Sequence, residues 1–72
     1  MDLLEAKVLL SNMRQLPGDI QFERKKEIVE AVKIFWDAGP SDEEFGDYMS
    51  GLILPPEVLY HIVTHPLGGK KL

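Results

Sequence analysis

The 72-residue chain has no cysteine. This excludes a disulfide framework, a thiolate metal centre and a cysteine nucleophile, and it leaves no reason to expect an oxidising compartment. The expectation is a cytoplasmic protein. No apolar run approaches the roughly 18 residues needed to cross a bilayer, so no membrane association is expected. At the N-terminus, MDLLEAKVLL places Asp2, Glu5 and Lys7 where a signal peptide needs a positive start and an uninterrupted apolar stretch. A phosphate-cradling loop is also missing: PLGGKKL at 66–72 has neither the spacing nor a following helix.

Lysine and arginine are absent from the whole of 34–69. Residues 1–33 balance six acids against six bases, whereas 34–69 holds Asp37, Asp42, Glu43, Glu44, Asp47 and Glu57 with no lysine or arginine. Lys70 and Lys71 bring the net charge to −4. The second half is therefore acidic, which bears on partners more than on fold.

What is present reads as an all-α fold, a compact bundle of four short helices at about 2–16, 19–38, 41–51 and 56–65. A single domain over 1–66 and a mobile tail over 67–72 are expected. Asp2 with Glu5 caps the first helix, along which Leu3, Ala6, Leu10 and Met13 recur at helical spacing. Leu4, Val8, Leu9 and Leu16 widen that stripe, so the helix must be buried around much of its circumference or meet a partner. Pro17-Gly18 stops it, and Asp19 is the expected cap of the second helix. There Ile28, Val29, Val32, Phe35 and Trp36 form the apolar face. Glu23, Lys26, Glu30, Lys33 and Asp37 mark an opposite stripe of alternating sign. Lys25, one heptad before Val32, suggests that the first turns project past the core.

Gly39 and Pro40 end the second helix, and Ser41 with Glu44 is a capping-box signature for the third. Phe45, Tyr48, Met49 and Leu52 follow at i, i+3, i+4 and i+7, and Gly46 suggests close approach of another helix. Pro56 fits the first turn of the fourth helix, with Val58, Leu59, Ile62 and Val63 as its buried face.

None of the chemical constellations is persuasive. Aligning SDEEFGD with a calcium loop on Gly46 puts Phe45 in a ligand place and Leu52 where a glutamate belongs. Glu57, His61 and His65 lie along one side of the last helix, but the residues between the histidines lack a catalytic glutamate, and Glu57 is too far from His65 to share a site. A surface role is expected for His61, and a bond to the last helical carbonyls for His65. Ser11, Ser50 and Thr64 sit in no recognisable nucleophile arrangement. No enzyme, cofactor or metal is expected.

A helix-turn-helix is opposed by a would-be recognition helix that starts with SDEE, whose carboxylates would face phosphates, so no direct nucleic-acid contact is expected. Nor is the chain a full duplex mimic: 30 Å of DNA carries about 18 charges, and here 12 acids are offset by eight bases.

The reading that remains is a small non-enzymatic interaction module, a regulator, inhibitor or assembly factor. It would bind a partner protein through an apolar and aromatic patch rimmed by acids, for which a basic surface is the complement. Phe35, Trp36, Asp37, Asp42, Glu43, Asp47 and Tyr48 are the candidate contact residues. That genre is common among accessory and phage-type gene products, an analogy only. Two alternatives stand beside it. One is a self-associating structural subunit in which 24–26 of one copy meets 42–47 of another; the other is an acidic decoy for a nucleic-acid-binding protein.

Overall fold

The computed structural model describes residues 1–66, and the tail expected over 67–72 lies outside them. The described residues form five helices and no strand: α1 Leu3–Met13, α2 Gly18–Glu23, α3 Lys25–Asp37, α4 Asp42–Met49 and α5 Pro56–Thr64. None is long and apolar enough to cross a membrane.

The all-α architecture is as expected, but the second expected helix is two. A continuous helix over 19–38 would keep Arg24 in phase with Gln21, Ile28 and Ala31, which are all buried, so its guanidinium would enter the core. The chain breaks at Arg24 instead (φ −106°, ψ 23°), and the side chain swings out to pair with Glu27 at 2.6 Å. Arg24, rather than Lys25, is thus the residue incompatible with a continuous apolar face. Nor does Asp19 cap the segment: α2 begins at Gly18 behind Pro17, with no side-chain cap. α1 ends at Met13, and residues 14–16 form a turn that tucks Leu16 against the core.

The other boundaries follow the local chemistry. Asp2 accepts the Glu5 amide at 2.8 Å, and the Ser41 hydroxyl accepts the Glu44 amide at 3.1 Å. Gly39 takes φ 73° after α3, the left-handed conformation that glycine adopts without penalty. Gly46, by contrast, has open space at its Cβ position, so it admits no close helix.

The core consists of Ala6, Leu10 and Met13 from α1, Ile28, Ala31, Val32 and Phe35 from α3, and Val58 from α5. α1 packs along α3, and α5 and α4 complete the enclosure. Leu59 and Val63 do not join it. Val58 and Ile62 turn inward, leaving Leu59 and Val63 exposed on the other side of α5.

One buried polar residue ties distant segments together. Gln21 is 3% exposed; its Nε2 donates to the Leu16 and Gly51 carbonyls at 3.0 Å each, and its Oε1 accepts the Ile53 amide at 2.8 Å. The side chain stands in for a backbone neighbour to three main-chain groups in two loop segments. Gln21→Ala removes three hydrogen bonds, and at about 1 kcal/mol each it should lower stability by about 2–4 kcal/mol. For a domain whose whole stability is about 3–5 kcal/mol, urea denaturation should find this variant left with about 1 kcal/mol and a transition beginning in the first additions of urea.

Candidate functional site

The seven residues proposed as a contact patch do not form one exposed surface. Phe35 is 1% exposed and lies at the centre of an internal aromatic cluster. Phe45 stacks on it with ring centroids 5.9 Å apart, Tyr48 meets it edge-on at 4.8 Å, and Trp36 meets Phe45 edge-on at 4.9 Å. These rings join α4 to α3, an internal use of aromatic area worth about 0.5–1.5 kcal/mol per pair beyond burial. Phe35 therefore offers nothing to a partner, while Trp36 and Tyr48 are half-buried.

The acids are better placed, though less isolated than their sequence suggests. Glu43 and Asp47 are exposed on α4, as is Asp42. Two bases reach α4: Lys7 Nζ of α1 lies 3.8 Å from Glu44, and the Arg14 guanidinium, in the turn after α1, donates to the main-chain carbonyl of Asp47. A cation at the end of α4 also complements the helix dipole there. The gap in basic residues over 34–69 is partly filled by chain folding.

Asp37 faces α5. Its Oδ1 lies 2.8 Å from His61 Nε2, and the His61 and His65 rings stack with centroids 4.3 Å apart. His65 Nδ1 lies 3.1 Å from the His61 carbonyl and 3.0 Å from the Thr64 hydroxyl. The expected bond of His65 to the end of its helix is present. His61 is half-buried rather than a free surface residue. Among the described residues, no group of three or more His, Asp or Glu side chains is arranged to hold a metal ion.

The large exposed apolar side chains lie elsewhere. Leu4 and Val8 stand on the side of α1 that faces away from the core. A second set runs from Phe22 and Ile53, beside Pro55 and Pro56, along the outer side of α5 through Leu59, Tyr60 and Val63. Pro56, Leu59, Tyr60 and Val63 are spaced i, i+3, i+4 and i+7, so α5 carries a second apolar stripe opposite the one it buries. Periodicity alone could not choose between the two faces of this nine-residue helix. Both signals were present in the sequence.

No family model, curated protein or solved structure matches this chain.

Trp36 Nε1 donates to the His65 carbonyl at 2.7 Å, which fastens the end of α5 to α3. Trp36→Phe keeps most of the ring contact with Phe45 and loses this bond. A destabilisation of about 1 kcal/mol is expected, with the fastest amide exchange appearing in the last turn of α5.

Proposed function

We propose that this protein is a non-enzymatic interaction module, a regulator, inhibitor or assembly factor that works by covering part of another polypeptide. The observation that carries the reading is the outer face of α5 and its extension, where Phe22, Tyr60 and Val63 are 66%, 72% and 74% exposed. A chain this small has few apolar side chains to spare from its core. Aromatic and aliphatic groups left together in water mark a surface that another protein removes from solvent. The action is occlusion or scaffolding, without a covalent step.

This moves the apolar centre of the contact away from Phe35 and onto α5, keeping Asp37 at its edge through His61. The acidic-decoy alternative is less favoured because Lys7 and Arg14 already approach α4. Head-to-tail assembly through 24–26 and 42–47 is also less favoured, because Arg24 is engaged by Glu27 and Glu44 by Lys7.

The test compares two variants in affinity capture from the native cell. Tyr60→Glu with Val63→Glu should keep the melting temperature, since both side chains are exposed, and lose the captured partner. Asp42→Asn with Glu43→Gln should retain it. The reverse result would transfer the function to the acidic face of α4.

A further inference from the structure

The outer face of α5 has an internal symmetry that points to its occupant. α3 and α5 run side by side in the same direction: Val29 lines a groove with Glu57, Lys33 lines the next with Tyr60 and His61, and Asp37 meets His61. Seen from outside, the apolar strip Pro56, Leu59, Tyr60 and Val63 therefore lies beside the charged stripe Lys26, Glu30, Lys33 and Asp37.

The charged stripe reads plus, minus, plus, minus. Turned end over end it reads minus, plus, minus, plus. An antiparallel copy therefore sets Lys26 against Asp37, whose carboxylate stays half exposed beside His61, and Glu30 against Lys33, each pair occurring twice. The apolar strip behaves in the same way, with Pro56 meeting Val63 and Leu59 meeting Tyr60. The midpoint of the charged stripe falls between Ala31 and Val32, and that of the apolar strip between Leu59 and Tyr60. The grooves that Val29 shares with Glu57 and Lys33 with Tyr60 and His61, together with the Asp37–His61 and Trp36–His65 bonds, bring these midpoints to about the same level on the two helices. A single two-fold axis serves both.

We infer that the partner for this face is a second copy of this chain, docked antiparallel about a two-fold axis passing over Leu59 and Tyr60. The inference rests on the interaction reading above and names its occupant. Such an isologous contact closes on itself as a dimer, whereas the head-to-tail alternative would extend. A parallel pair would bury the same strip but would separate the two charged stripes to opposite sides, so the charges select the antiparallel arrangement. Phe22 and Ile53 then extend over the Val63 end of the other copy. Phe22 and Tyr60, 66% and 72% exposed, each have roughly two thirds of an aromatic side chain's 150–250 Å² left to bury. With Ile53, Leu59, Val63 and the charged rim, the face approaches the roughly 800 Å² per partner of a stable complex.

The experiment is sedimentation equilibrium over a range of concentrations at low salt, using the full chain. Wild type should be a dimer, and Tyr60→Glu, placed at the axis, should be a monomer with unchanged helicity. Glu30→Lys turns two attractions into repulsions and should weaken the dimer about tenfold. Adding Lys33→Glu to Glu30→Lys restores opposite charges across the interface and should restore the affinity. A wild-type monomer at millimolar concentration, a dimer indifferent to Tyr60→Glu, a double swap without rescue, or growth beyond two copies would each overturn the inference. Hydrogen exchange separates its failure from that of the interaction reading. If wild type is a monomer, protection of α5 amides on adding native-cell extract defeats only the dimer, while unprotected α5 defeats both.

Discussion

The side chain of Gln21 is the constraint on which the arrangement depends. It satisfies backbone groups at Leu16, Gly51 and Ile53, so it joins the turn after α1 to the strand-free link between α4 and α5. Without it, these loops would have to find water for the same groups. Because Gln21 reaches about 30 residues along the chain, its contacts form only when the ends of the bundle are already together. A local helix cannot supply that kind of bond, which makes the whole domain cooperative.

The same shortage of chain explains the apolar surface. Among the described residues eight form the buried hydrophobic core, and α1 and α5 each have apolar residues on two sides. A helix in a small bundle can bury only one of those sides. On α1 the inner side goes to Ala6, Leu10 and Met13 and leaves Leu4 and Val8 outside; on α5 it goes to Val58 and Ile62 and leaves Leu59 and Val63 outside. Neither helix is amphipathic in the way a fully self-contained monomer would want.

Most of the helices were legible in the sequence because their ends are written in local chemistry: Asp2, Ser41, Gly39 and Pro56 each act within one turn of where they stand. The break at Arg24 was harder, since it arises from the phase of a charged residue relative to a core that only tertiary packing defines. Gln21 left one signal, a polar residue exactly one heptad before the buried Ile28, but its partners lie in loops with no pattern of their own. The candidate contact residues divided for the same reason. Phe35 and Trp36 are neighbours, but only Phe35 is in phase with the buried Ile28, Ala31 and Val32; the exposure of Asp42, Glu43 and Asp47 followed from their place at a helix start and its outer turns.

Trp36 has a consequence of another kind. It is the chain's one tryptophan, and its indole N–H is bonded to the carbonyl of His65, just beyond α5. Its fluorescence therefore reports on the seating of α5 against α3 without any label. The protein carries its own optical gauge beside the face that its partner would cover.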